Sequence, residues 1–110
     1  MNEEKYAVPF EIILSAGNSK AASFAAIEAA KGGDFEEAKN SLKEAEQEMK
    51  AAHDAQLDLM QNEAEGNPVE VNIMLVHAQD HLTMATMARD LAEEFVDVYR
   101  VLYELKHTEK

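Results

Sequence analysis

Three side chains in this sequence, His77, Asp80 and His81, have the types and the spacing that chemistry requires. They lie in the stretch "VEVNIMLVHAQDHLTM", which spans residues 69 to 84. Residues three and four apart are neighbours on a helix surface, so a helix here would bring these side chains into one cluster. Neutral imidazole is a nucleophile or a metal ligand near neutral pH, and a carboxylate binds cations. The cluster therefore predicts group transfer or metal binding on one helix face.

Asp80 is the polar member of an otherwise apolar stripe. The stripe has a spacing of three or four and comprises Val69, Ile73, Val76, Asp80, Met84, Met87, Leu91, Phe95, Val98, Leu102 and Leu105. We expect this stripe to be buried, and a buried carboxylate needs a partner. Three interpretations stay open. Asp80 pairs with a polar or basic residue of another helix, or symmetry-related copies meet and share a cation or a proton, or Asp80 joins His77 and His81 in a metal site within one chain.

His77 stands toward the edge of that stripe and has two interpretations. One is a partly exposed surface histidine, and the other is a nucleophile that carries a phosphoryl group. The second requires one ring nitrogen to be exposed while the other is oriented by a hydrogen bond. Hydrolytic catalysis has no support, because the sequence shows neither a Ser–His–Asp arrangement nor a Gly-rich phosphate loop.

Two sets of turn residues, "KGGD" at 31–34 and "EGNP" at 65–68, divide the chain into three helical segments. Asp34 is a predicted N-cap, with Glu37 completing a capping-box-like pair. Gly66 is a predicted helix stop, followed by a cap and first-turn pair, Asn67 and Pro68. The predicted helices run from Val8 to Lys31, from Phe35 to Ala64 and from Val69 to Lys106.

Helices of this length with short connections predict an all-α fold, a three-helix up-down-up antiparallel bundle formed by a single domain over residues 1–110. The first helix has large residues on one side and small ones elsewhere. The third helix carries a second, Ala-rich row beside its apolar stripe, comprising Met74, His77, His81, Ala85, Ala88, Ala92, Val96 and Tyr99. This row suits close approach of another helix. The surplus of apolar face over what a lone bundle needs predicts a homo-oligomer.

The composition limits the possible partners. The formal net charge is −12, from 22 acidic against 10 basic residues. Such a surface is repelled by nucleic acid and by anionic membranes, so we expect neither as a partner. The charge either serves solubility or matches a basic patch on a partner protein. The absence of cysteine excludes thiol chemistry. With no signal-peptide pattern and no transmembrane stretch, we expect a cytoplasmic protein without direct membrane insertion.

The motif "VHAQDHLTMA" resembles the signature of the lactose/cellobiose family of enzyme IIA proteins, which belong to the bacterial phosphoenolpyruvate-dependent sugar phosphotransferase system. The segment "EIILSAGNSKAASFAAIEAAKGGDFEEA" is similar to the first-helix region of that family, and the resemblance extends from about residue 11 to residue 105. Thr83 stands where the family motif more often has Met. The resemblance implies a three-helix bundle that assembles as a homotrimer.

The resemblance also implies residue roles. His77 would be the phosphorylated residue, at its Nε2 atom, taking the phosphoryl group from phosphohistidine on HPr. It would pass the group to a cysteine of the cognate IIB component, and IIC would couple this to uptake of a β-disaccharide such as cellobiose, chitobiose or lactose. Asp80 would point to the threefold axis, where three carboxylates share a structural divalent metal, which we expect to be magnesium from this resemblance. His81 and Gln79 are candidates for orienting the site, although Gln79 lies on the far helix face and could help only another subunit. The alternative function is a metal-stabilised helical adaptor without transfer chemistry.

Overall fold

The computed structural model describes residues 4–108, which form three α-helices. Helix α1 spans Glu4–Lys31, α2 spans Phe35–Ala64 and α3 spans Ile73–Thr108. Each pair of helices is in contact, and the described chain is elongated, 66 × 25 × 18 Å. None of these three helices is both long and apolar enough to cross a lipid bilayer. The prediction of an all-α, three-helix up-down-up bundle is confirmed.

The turn between α1 and α2 is closed by backbone hydrogen bonds and by Asp34. Gly33 adopts a φ of 85°, the left-handed conformation that favours glycine. The Asp34 Oδ1 atom accepts a hydrogen bond from the Glu37 backbone N–H at 3.1 Å, which confirms Asp34 as the N-cap. The other half of the predicted capping box is wrong. The Asp34 N–H donates to the Ala29 carbonyl at 2.9 Å, so it does not need the Glu37 side chain.

Helix α3 begins at Ile73, so the predicted start at Val69 is wrong. Asn67 is not its cap, because residues 67–72 are not helical. The Asn67 N–H donates to the Asn62 carbonyl at 2.9 Å and thereby closes the end of α2. The cap is Asn72, whose Oδ1 accepts from the Leu75 N–H at 2.9 Å. Of the two asparagines between α2 and α3, Asn72 is the one that directly precedes the first helical residue, Ile73.

Helix α1 begins at Glu4, before the predicted start at Val8, and therefore includes Pro9. Proline has no N–H, so the helix loses the hydrogen bond from position 9 to the Lys5 carbonyl. Pro9 is the sixth residue of α1, so the loss is confined to one hydrogen bond near the N-terminal end of a helix of 28 residues. Proline at this point therefore does not end the helix.

Small side chains fill the interface between the helices. One buried cluster comprises Ile12, Ala16, Ala52, Ala55, Ala78, Leu82 and Ala85, and a second comprises Ala26, Ala30, Ala38 and Val96. Two buried serines of α1 are hydrogen-bonded: Ser19 Oγ donates to the Ala45 carbonyl of α2 at 2.7 Å, and Ser23 Oγ donates to the Ser19 carbonyl at 3.0 Å. The helices can approach closely because alanine and serine occupy little space between them.

The two faces of α3 are the reverse of what the sequence led us to expect. The stripe that contains Asp80 is exposed, with Val76 at 54% and Met87 at 61% of full exposure, so the prediction that it is buried in the chain is wrong. The Ala-rich row faces inward instead, with Ala85 and Ala92 fully buried. Alanine permits the short distance between α3 and its neighbours, and the larger side chains of the stripe must then point outward.

Candidate functional site

Two imidazoles on α3, His77 and His81, form the centre of the candidate site. They are one helical turn apart, and their Nε2 atoms are separated by 3.1 Å. The ring centroids lie 4.5 Å apart with the planes at 90°. His77 is exposed, whereas His81 is partly buried toward α1. The predicted pairing of these two residues is present, and the exposed member is the one assigned as the nucleophile.

The two rings share one Nε2–Nε2 hydrogen bond, in which one ring donates and the other accepts. If the proton is on His81 Nε2, that atom donates to the lone pair of His77 Nε2, and the lone pair becomes free for attack only when this N–H turns away. The Nδ1 atom of His81 is buried and has no hydrogen-bond partner in residues 4–108. Burial lowers the pKa of the His81 imidazole, and the His77 and Lys20 charges lower it further, while the Asp80 charge acts in the opposite direction. The lowered pKa favours the neutral form of His81, which has one N–H to donate.

Lys20 of α1 is a residue of this site that the sequence reasoning missed. It is half-buried and lies one turn after Ala16, which packs in the same cluster as Ala78 and Leu82 of α3. Its charge is close enough to act on the His81 ring. No motif in the sequence indicated this residue, because its proximity to the histidines arises only from the packing of α1 against α3.

Gln79 lies apart from the two histidines, as its position on the helix predicted. The Gln56 side-chain amide of α2 donates a hydrogen bond to the Gln79 Oε1 atom. This places Gln79 on the side of α3 that faces α2. His81 lies on the side of α3 that faces α1, where the charge of Lys20 acts on it. Within one chain, Gln79 therefore does not orient His77.

Asp80 is exposed on the outward stripe of α3, between Val76 and Met84. It forms no salt bridge with any residue that the structure describes, so the pairing with another helix of the same chain is not observed. No group of three or more His, Asp or Glu residues within 4–108 is arranged to hold a metal ion. The interpretation of Asp80 with His77 and His81 as a metal site inside one chain is therefore wrong. The interpretation that requires several copies of the chain stays open.

Comparison with known proteins agrees with this geometry. The family model described as "PTS system, Lactose/Cellobiose specific IIA subunit" matches residues 7–100. The chain is 44% identical to the lichenan-specific phosphotransferase enzyme IIA component of Bacillus subtilis over 94% of each protein. The chain belongs to the lactose/cellobiose-specific IIA family. It is thus a IIA component of the phosphotransferase system.

Solved structures of the IIA family share this fold. The crystal structure of the cellobiose-specific enzyme IIA from Bacillus anthracis is 36% identical, with a TM-score of 0.91 over 94% of this chain and 95% of that one. The Escherichia coli IIA(Chitobiose)–HPr complex contains a chain that is 31% identical, with a TM-score of 0.79 over 93% of this chain and 99% of that one. A relative with the same three-helix fold has therefore been solved in a complex with HPr.

Proposed function

We propose that this IIA protein is a phosphoryl carrier in which His77 takes the phosphoryl group from phosphohistidine on HPr and passes it to a cysteine of its cognate IIB component. The observation that carries the proposal is the exposed His77 ring, whose Nε2 atom lies 3.1 Å from His81 Nε2. An exposed and oriented imidazole is what a nucleophile of this kind requires. The HPr complex of the chitobiose relative supports HPr as the donor.

The transfer needs little from the protein beyond alignment. The His77 Nε2 lone pair attacks phosphorus, the donor's P–N bond breaks, and its electron pair returns to the donor imidazole. In the second step a cysteine thiolate of IIB attacks the same phosphorus, the bond to His77 Nε2 breaks, and neutral imidazole is restored. The N–H of His81 leaves the His77 ring nitrogen before the attack, and it donates to a phosphoryl oxygen while the group is on His77. Positioning and charge stabilisation account for most of the catalysis in phosphoryl transfer.

The assembly that we propose is a homotrimer with α3 next to the threefold axis. Asp80 lies nearly opposite the buried side of α3 and in the middle of the exposed apolar stripe, so copies of this residue would meet at the axis. Three carboxylates offer oxygen ligands that suit magnesium, and a divalent cation there would neutralise their mutual repulsion. This metal would be structural and would take no part in transfer at His77. In such an assembly Gln79, held by Gln56, would serve the site of a neighbouring subunit.

The sugar that we propose is a β-linked disaccharide such as cellobiose, chitobiose or lactose. The relatives described above are named for lichenan, cellobiose and chitobiose. The membrane component IIC would couple the transfer to uptake of the sugar, while IIA and HPr work in the cytoplasm.

The test is phosphorylation of the purified protein by enzyme I, HPr and phosphoenolpyruvate. We expect one acid-labile, base-stable phosphate per chain, assigned to His77 by mass spectrometry under neutral conditions. Omission of HPr is the control and should leave the protein unmodified. Absence of phosphate in the complete mixture would contradict the relay.

The alternative is a metal-stabilised helical adaptor without transfer chemistry. The observation that favours it is the carboxylate of Asp80 in the middle of an exposed apolar stripe, which suits metal-dependent assembly alone. The phosphorylation experiment separates the two functions, because an adaptor would form the same assembly and accept no phosphate.

A further inference from the structure

We infer that Lys20 of α1 binds the phosphoryl group carried by His77 and stabilises the phosphorylated state. The inference rests on the proposed function, because it names a binding group for the same site. It adds a residue from a second helix to a site that would otherwise consist of α3 side chains.

Helix packing places Lys20 on the margin of α1 that faces the histidine-bearing helix α3. Ile12, Ala16 and Ser19 define the buried side of α1, and Lys20 follows Ala16 by one turn at the margin of that side. The opposite margin of α1 faces α2, because Asn18 there hydrogen-bonds to Glu48 at 3.1 Å. Lys20 therefore lies on the margin that faces α3, where its charge acts on His81.

Lys20 has no ion-pair partner among residues 4–108, although the chain contains 22 acidic residues. Lys31 and Lys50, which are exposed, pair with Glu28 and Asp54, and Lys5, which is half-buried as Lys20 is, pairs with Glu70. Lys20 is half-buried as a residue, its charge acts on the His81 ring, and no carboxylate of the described residues forms an ion pair with it. A phosphoryl dianion on His77 would supply the missing negative charge.

The charges around His77 make such a cation useful. Asp80 is the carboxylate closest in sequence to the histidines, and its charge acts on His81 from the side away from α1. It would repel a phosphoryl group, whereas His81 offers only a neutral N–H. An ammonium group that approaches from α1 offsets this repulsion and adds a charge-assisted hydrogen bond to a phosphoryl oxygen.

The experiment measures the equilibrium of phosphoryl transfer between HPr and the protein. We expect Lys20→Met to shift the equilibrium constant toward phospho-HPr by roughly ten- to a hundredfold, because a hydrogen bond to a charged group is lost. Lys20→Arg should stay close to wild type, since it keeps the charge. Lys39→Met on α2 is the matched control, because Lys39 is exposed and its removal changes the net charge equally; it should leave the equilibrium unchanged.

Thermal melting separates phosphate binding from a structural role. Unphosphorylated Lys20→Met should melt at or above the wild-type temperature, because the substitution breaks no ion pair within the described residues. Phosphorylation should raise the melting temperature of Lys20→Met less than it raises that of wild type. A Lys20→Met equilibrium within twofold of wild type would overturn the inference. So would equal impairment of Lys20→Met and Lys20→Arg accompanied by a lower melting temperature of the unphosphorylated variants.

Chemical phosphorylation with phosphoramidate distinguishes failure of this inference from failure of the relay. If HPr does not phosphorylate the protein, the phosphoramidate-modified His77 still reports its surroundings through its ³¹P resonance. We expect that resonance to differ between wild type and Lys20→Met, and to be the same in wild type and Lys39→Met. Identical ³¹P resonances in wild type and Lys20→Met would overturn the role of Lys20, whatever the result with HPr.

Discussion

At the scale of single residues, the division of work between His77 and His81 follows from their exposure. His77 is open to a partner protein, while His81 is partly buried with its Nδ1 atom unpartnered within the described chain. Burial, together with the His77 and Lys20 charges, lowers the pKa of His81. The lowered pKa favours the neutral form of His81, which can donate one N–H, and the greater exposure of His77 supports the proposal that His77 is the nucleophile.

The variant His77→Ala should abolish phosphate acceptance. The imidazole is exposed and contributes little packing, so we expect the free energy of unfolding to change by less than about 0.5 kcal/mol and the assembly to persist. The measurements are phosphate incorporation from phospho-HPr, and light scattering for the assembly. His81→Ala is the companion variant and should still accept phosphate, more slowly. Phosphate on His77→Ala together with none on His81→Ala would mean that the nucleophile is His81.

At the scale of helices, the N-terminal end of α3 determines where the two histidines stand on the helix. Helix α3 starts four residues before His77, at Ile73, and Asn72 caps it. The histidines are thus in the first turns of the helix, where the N-terminal cap fixes the backbone that holds them. Ala16 of α1 packs in one cluster with Ala78 and Leu82 of α3, so the two helices are close where α3 carries the histidines.

The variant Asn72→Ala should lower the free energy of unfolding by about 1 kcal/mol, because the Leu75 N–H loses its side-chain acceptor. Asn67→Ala is the matched control. It should change the free energy of unfolding by much less than Asn72→Ala does, since the hydrogen bond of Asn67 comes from its backbone N–H and is kept in alanine. Urea unfolding followed by circular dichroism measures both. Equal losses in the two variants would argue against Asn72 as the cap.

At the scale of the whole molecule, the principal feature is a broad apolar surface on the outside of the bundle. Large side chains are about half exposed on α1, as at Phe10 and Phe24, and along the α3 stripe, as at Leu91 and Phe95. A surface of this extent on a monomer marks an interface. Since α1 and α3 both contribute to it, identical chains can cover it by symmetric assembly.

We predict a homotrimer in solution, with this surface at the interface. Light scattering at micromolar concentration should give about three times the 12.2 kDa mass of one chain. A charged substitution in the surface, Phe95→Glu, should reduce the mass, whereas a substitution on the solvated side of α2, Lys43→Glu, should not. A monomeric mass for the wild type would contradict the assembly.

The variant Asp80→Leu should give a trimer that is more stable than wild type when divalent metal is absent. It replaces converging like charges with apolar contacts, and each newly buried leucine contributes about 1.5–3 kcal/mol. Wild type should recover part of the difference with magnesium, because the ion binds only the assembled state. The measurement is thermal melting of both forms, with chelator and with magnesium. A variant that melts below wild type in chelator would show that Asp80 makes a stabilising contact inside its own chain.

The sequence by itself determined the number of helices, the Asp34 cap and the pairing of His77 with His81, because each depends on residues within one or two helical turns of each other. It could not determine which face of α3 is buried. Both the Asp80 stripe and the Ala-rich row are apolar with helical spacing, and only the close approach of α1 and α2 selects the row of small residues for the interior. Asn72 was missed for a similar reason, because Asn67 is equally suited to cap by type and only the observed start of α3 at Ile73 decides between them. Lys20 is far from His81 in sequence, and its charge acts on that ring only because α1 packs on α3.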